Sequence, residues 1–194
     1  MLLPIQLNFG NWNALDHSGF RLEEDGYRFE NAGECYGMCS TAALYYTGQL
    51  THPGDAAFSF ALARDQASPT INNYQSSHAN SLGTIAARLR EDSLGPVDVL
   101  WLQQRLRAGI PVIAWLARSR VGGAHAVLVR GLLVDDSRNI GMLAIYDPDH
   151  SYASTRGFNL EAFRVIRCEF PSGRLVHDEY SCFAFGQAAV IPGD

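Results

Sequence analysis

The sequence predicts an α+β fold, with helices in its first part and an antiparallel sheet in its second. Three observations predict it. Cys35, Met38, Cys39, Ala42, Ala43 and Tyr46 fall at i, i+3, i+4, i+7, i+8 and i+11, the apolar stripe of an amphipathic helix. Beyond Gly109 the texture changes to short apolar runs bounded by turn residues. Two of those runs, "HAVLVRGLLV" and "IGMLAIYD", flank "DDSRN", which reads as a hairpin. Helices first and paired strands second is the pattern of the α+β class.

Taken in order, the first 30 residues read as irregular and polar-aromatic. The helix from Cys35 is expected to end near Tyr46, with Gly48 as its C-terminal cap. A second helix is expected after Pro53, through "GDAAFSFALARD". "SPTINNYQSSHANSLG" is polar and is expected to loop over the surface. "LGTIAARLRED" reads as a short helix, and "PVDVLWLQQRLRAG" as another with Asp98 as N-cap and Gly109 as C-cap. "IPVIAWLA" is a continuous apolar run and reads as a buried strand. "FRVIRCEF" and "YSCFAFGQAAVI" supply two more strands. One domain spanning 1–194 is expected, helical over about 30–109 and sheet over about 110–192.

The bulk numbers suit that reading. The chain has 194 residues, 47% of them hydrophobic, enough for a full core in one domain. Charged residues make up 18% and the net charge is −5, with no Lys/Arg block of the kind nucleic-acid binding needs. No apolar run reaches the roughly 18 residues of a membrane span. "MLLPIQLNFGNWN" lacks the basic n-region of a signal peptide, so the chain as given reads as cytoplasmic. Export by a signal-peptide-independent route, as for an effector, and excision from a longer protein both stay open. Four cysteines occur without metal-binding C-x2-C or H-x3-H spacing, so no metal is expected. Free thiols are the default, although Cys168 and Cys182 could face each other across a hairpin.

The chemistry concentrates on Cys35. At the start of its helix the first N–H groups lack intrahelical partners and the macrodipole is positive, and both favour a thiolate. A nucleophilic cysteine needs a base. Of the six histidines, His125 alone begins a strongly predicted strand, after the flexible pair Gly122-Gly123. If the hairpin loop centres near Asp136, His125 faces Asp147, Val127 faces Ile145 and Val129 faces Leu143. A slip of two would move the partner to Ile145 or Asp149. A carboxylate beside the imidazole fixes its tautomer and orientation. Pro148 marks Asp147 as the strand end.

The order Cys…His…Asp, with the cysteine opening the first long helix and the other two on successive strands, resembles the papain-like cysteine peptidase superfamily. "GECYGMCSTAALYY" is similar to the G-x-C-x-G-M-S motif of certain bacterial papain-like proteins. "GGAHAVLVRGLL" and "AIYDPD" resemble their His strand and Tyr-Asp-Pro strand. The likeness covers roughly residues 30–150. The chain departs from the pattern in two places. Cys39 stands where the motif has serine. Phe29 stands six residues before Cys35, where many papain-like enzymes carry a glutamine that donates to the oxyanion. Asn31 is the nearest amide, and the Cys35 backbone N–H is a natural donor.

The resemblance implies a papain-like fold and a cysteine hydrolase that cleaves an amide bond in a protein or peptide. Its catalytic residues are Cys35, His125 and Asp147, and it needs no cofactor. Asn31, Tyr36 and Gly123 are candidates for oxyanion or substrate contacts. Tyr36 either lines the cleft or only packs. Two alternatives keep the residues: acyl transfer of the transglutaminase or deamidase kind, and a non-catalytic binding module of the same fold. A rival placement of the nucleophile starts the helix at Cys39, with Gly37 in a preceding turn; the helix-start argument favours Cys35.

Overall fold

The structure is a computed structural model that describes residues 13–79, 90–91, 96–118, 124–135, 140–150, 164–169, 174–176, 180, 182–188 and 191. It opens with strand β1 (Asn13–His17) and a single helical turn, α1 (Leu22–Asp25). Helix α2 (Cys35–Tyr46), a 3-10 turn at Ser59–Ala61 and helix α3 (Arg64–Ala79) follow. Next come β2 (Arg90–Glu91), α4 (Pro96–Arg107), β3 (Val112–Ala117), β4 (Ala124–Asp135), β5 (Ile140–Tyr146), β6 (Arg164–Glu169), β7 (Arg174–Val176) and β8 (Cys182–Gly186). Mixed helix and antiparallel sheet places the chain in the expected α+β class.

Helix α2 has the expected bounds. Gly48 (φ 68°) turns left-handed just beyond it, so that Gly48 N–H donates to the Tyr45 carbonyl at 3.0 Å and Gln49 N–H to that of Leu44 at 2.8 Å. Helix α4 begins at Pro96, which suits a first helical position because its missing N–H would have no partner there. Asp98 therefore stands inside the first turn rather than at the cap. Gly109 does close the helix.

The segment from 54 to 79 differs from expectation. The stretch after Pro53 forms only the short 3-10 turn, and the helix lies later, through residues read as a polar loop. Ala67, Ile71 and Tyr74 explain it: spaced i, i+4, i+7, all three are buried, and the polar residues between them form the outer face. Gln66 reaches back to accept from Ala63 N–H at 2.9 Å, half of a capping box. Pro69 lies inside the helix and is exposed. Of "LGTIAARLRED", only Arg90–Glu91 lies among the described residues, and it is strand.

The strands pair antiparallel in the order β2-β8-β3-β4-β5-β6-β7, and β1 pairs with the later half of β4. Two cores sandwich this sheet. On one face Met38, Cys39 and Ala42 of α2 and Tyr74 of α3 meet Ile113, Trp115, Leu128 and Tyr146. On the other, Leu102 and Leu106 of α4 meet Val112, Ala114, Leu116, Val127 and Leu143. Covered on both faces, β3 is buried at all six residues, which is why its sequence does not alternate. Strands β1 and β2 enter this sheet from the first half of the chain, β2 from within the part expected to be helical, and α4 lies on the opposite face from α2. No helix among the described residues is long and apolar enough to cross a membrane.

The β4–β5 register is also corrected. Val129 faces Ile145, not Leu143, and Leu128 faces Tyr146; a bulge at Arg130 then offsets the ladder, so that Leu132 faces Leu143. The predicted Val127/Ile145 pair does not form, because the slip is two residues. Cys168 and Cys182 lie on β6 and β8, with β3, β4 and β5 between them. Four strand spacings amount to about 19 Å, far beyond the roughly 7 Å Cα separation a disulfide tolerates. They do not face each other across a hairpin.

Candidate active site

The loop before α2 is folded by its own side chains. Asn31 Oδ1 accepts from Gly33 N–H at 2.7 Å and Glu34 N–H at 2.5 Å. Glu34 Oε2 accepts from Ala32 N–H, and Glu34 Oε1 pairs with Arg64 of α3, both at 2.7 Å. This network delivers Cys35 as the first residue of α2, half-buried. Two residues further along, Gly37 N–H donates to Gln75 Oε1 of α3 at 2.9 Å. Among the described residues nothing accepts from the Cys35 backbone N–H, as expected of a first helical position.

Strand β4 brings the second group. The β4–β5 ladder begins only at Leu128, so the outward N–H and C=O of Ala126 have no strand partner. The two sulfurs of α2 take them: Ala126 N–H donates to Cys35 Sγ and Cys39 Sγ donates to the Ala126 carbonyl, each at 3.4 Å. That contact sets Cys35 beside His125, near enough for the thiol to help raise the pKa of the imidazole.

The chain beyond β5 supplies the carboxylates. Buried Tyr146 anchors the strand end, its hydroxyl accepting from Tyr27 N–H at 3.4 Å. The turn that follows places Asp147 Oδ1 2.8 Å from His125 Nε2. The same oxygen accepts from Asp149 N–H at 3.0 Å. Asp149 Oδ2 lies 3.7 Å from His125 Nδ1. With Nε2 committed to Asp147, Nδ1 is the nitrogen left for Cys35.

The electrostatics follow from that arrangement. Burial alone pushes the His125 imidazolium toward losing its proton. The hydrogen bonds to Asp147 and Cys35 and the charges of Asp147 and Asp149 outweigh it and raise the pKa from 6.5 to about 10. Cys39 is the opposite case: it is 0% exposed, and burial drives its thiol well above the ordinary value, with Cys35 adding to the shift. The helix does not begin at Cys39, and Cys39 faces the core.

The structure therefore brings Cys35, His125 and Asp147 together. Asn31 has other partners than those expected of an oxyanion donor: its Nδ2 donates to Asp149 Oδ1 at 2.6 Å, and its backbone N–H to the Pro148 carbonyl at 2.8 Å. Tyr36 stacks on Trp115 at 6.0 Å between ring centroids. Phe29 stacks on Tyr27, with the Arg64 guanidinium 5.2 Å over its ring. Gly123 lies outside the described residues. Sequence reasoning missed Tyr180, whose ring stacks on His125 at 6.2 Å. It weighed Asp149 only as the partner a slip of two would bring to His125, not as a second carboxylate beside Asp147.

His125, Asp147 and Asp149 are also the residues whose ligand atoms come within 4.8 Å of one another among those described. A zinc ion between His125 and Asp147 would hold nitrogen and oxygen about 3.3 Å apart at ordinary bond lengths. The 2.8 Å contact present is that of a direct hydrogen bond. No family model matches the chain, and none of the curated proteins compared with it is similar enough to match.

Proposed function

We propose that the protein is a cysteine hydrolase of papain-like fold that cleaves an amide bond in a protein or peptide. One observation carries the reading: a half-buried thiol at the first position of a helix, held against the backbone next to His125, lies beside an imidazole whose Nε2 is held by a buried carboxylate.

In this reading the Cys35 proton passes to His125 Nδ1 before the attack, giving the thiolate–imidazolium pair that the raised His125 pKa favours, and Cys35 Sγ then attacks the amide carbonyl carbon. The carbonyl oxygen becomes an oxyanion that the Cys35 N–H is placed to receive. On collapse, the C–N bond breaks and the departing nitrogen takes the proton from His125, leaving a thioester. Water then attacks the thioester while His125 removes its proton. That proton returns to the sulfur as the acid is released. Asp147, accepting from Nε2–H, fixes the tautomer that leaves Nδ1 free for these transfers. General acid–base catalysis of this kind contributes about 10²–10⁴-fold.

The test compares wild type with Cys35→Ala on a proteome-derived peptide mixture, reading new N-termini by mass spectrometry. New termini that depend on Cys35 support the hydrolase. Identical peptide maps, together with slow alkylation of Cys35 by iodoacetamide at neutral pH, would overturn it.

A further inference from the structure

The catalytic reading uses one carboxylate, yet the site holds two, and they differ. Asp147 is 8% exposed and bonded to His125, whereas the Asp149 side chain is 45% exposed and its Oδ2 stands 3.7 Å from Nδ1. Asp149 is not a loose surface residue. Asn31 Nδ2 holds its Oδ1, and Asn31 N–H ties the same turn to the loop that leads into Cys35. Among the described residues no arginine pairs with it. The nearest candidate in that loop network, Arg64, is taken by Glu34 and the Glu30 carbonyl. A fixed, half-exposed negative charge thus sits beside the nitrogen that hands a proton to the leaving amine.

We infer that Asp149 is the specificity-determining residue of the leaving-group side of the site, and that the preferred substrate carries a cationic residue, lysine or arginine, directly after the cleaved bond. The inference rests on the hydrolase reading above. The side follows from the chemistry. His125 Nδ1 protonates the departing nitrogen, so a group next to Nδ1 faces the residue that bears that nitrogen. Oδ1 is occupied by Asn31, and Oδ2, 3.7 Å from Nδ1 and beyond hydrogen-bond distance of it, keeps lone pairs to receive an ammonium or guanidinium. All 15 basic residues of the chain are arginine, so none of its own side chains offers the subsite an ε-amine that could intercept the thioester.

The experiment uses the same peptide mixture with wild type, Asp149→Asn and Asp149→Arg, reading the residue on the new N-terminal side of each cut. Asp149→Asn keeps an oxygen for the Asn31 bond and removes only the charge. Wild type is expected to favour Lys and Arg over Gln and Met by about fivefold, the size of a partly exposed ion pair. Asp149→Asn should bring that ratio near one, and Asp149→Arg should turn it toward Asp and Glu. Glu30→Gln, an equal change of net charge in the exposed preceding loop, should keep the wild-type ratio. A wild-type ratio near one, or one that survives both Asp149 substitutions, overturns the inference while leaving the hydrolase in place. If no termini depend on Cys35, the hydrolase reading fails instead. Alkylation rates of Cys35 with N-(2-aminoethyl)iodoacetamide and its N-(2-hydroxyethyl) analogue then decide the subsite. Faster reaction with the cationic reagent in wild type but not in Asp149→Asn supports it, and equal rates overturn it.

Discussion

Replacing Asp147 by asparagine tests whether that carboxylate holds His125 as an imidazolium. His125 rises from 6.5 to about 10 in the folded protein. Because the folded value lies above the unfolded one, the stabilisation is complete below about pH 6.5 and is lost as pH climbs through about 10. Each pH unit in that window removes about 1.4 kcal/mol, so the whole span amounts to at most about 5 kcal/mol. The His125 side chain is 10% exposed, so solvent screens little of it. Cys35 and Asp149 remain in Asp147→Asn, and the share lost is roughly 2–3 kcal/mol. Urea midpoints of wild type and variant, read by tryptophan fluorescence from pH 6 to pH 10.5, give the difference directly. The chain has no lysine to titrate at the upper end, and the comparison cancels the other groups. Wild type should lead most at pH 6, and the gap should shrink by that amount toward pH 10. A gap that stays constant to within about 1 kcal/mol across the range would mean that Asp147 does not sustain the charge on His125.

Cys35→Ala should abolish turnover and fast alkylation. Cys39→Ala should keep both and lose about 1–2 kcal/mol of stability, because it empties a buried volume and leaves the Ala126 carbonyl without its donor; activity and denaturation assays on the two single variants separate them. Gly37→Ala should destabilise by about 2–3 kcal/mol, since its new Cβ would meet the Ile71 carbonyl oxygen at 2.2 Å and force α2 and α3 apart; a change in thermal melting below about 0.5 kcal/mol would contradict that crossing. Asn31→Asp replaces a 2.6 Å donor–acceptor contact with two opposed carboxylates. Its stability deficit against wild type should therefore narrow as pH falls into the carboxylate range, where one of the pair takes a proton; chemical denaturation at pH 4 and pH 7 checks it.

Much of the fold was legible because burial leaves its mark in the apolar pattern. Helix α2 and strands β3, β4 and β5 carry their apolar residues where two-sided or one-sided packing demands them. Helix α3 was not legible for the same reason in reverse. Among the residues of α3 with a described side chain only Ala67, Ile71 and Tyr74 are buried, while Pro69 and the Asn and Ser residues around them carry turn propensity. Tertiary contact with α2 at Gly37, and the Gln66 cap, decide the helix against that local preference. Strands β1 and β2 are short pieces whose place in the sheet depends on partners far away in sequence, β4 and β8. Local pattern carries no information about such pairings.

The site shows how a register error can leave the right residues in reach while hiding an additional one. Counting from a loop centred at Asp136 set Asp147 opposite His125. In the structure the ladder runs two residues later, and the end of β5 gives way to a turn before that count is reached. Asp147 reaches Nε2 from this turn rather than as a cross-strand partner, and the slip also carries Asp149 to the other side of the ring. Part of the signal lay in the strand itself, and the rest in a loop centred later than Asp136. "VRGL" sets a charged residue and a glycine inside an apolar run, the mark of a bulge. Arg130 is that extra residue, and its guanidinium turns to the His17 ring and the Phe20 carbonyl instead of continuing the ladder. Beside the loop the ladder already runs three residues later than the count, with Asp135 facing Ile140, and the bulge takes one of the three back, so the pairing at the open end cannot be read by counting from the loop. The two carboxylates that result are not interchangeable. Loss of the Asp147 charge should appear in the pH dependence of stability through Nε2, whereas loss of the Asp149 charge should appear in the choice of leaving group through Nδ1.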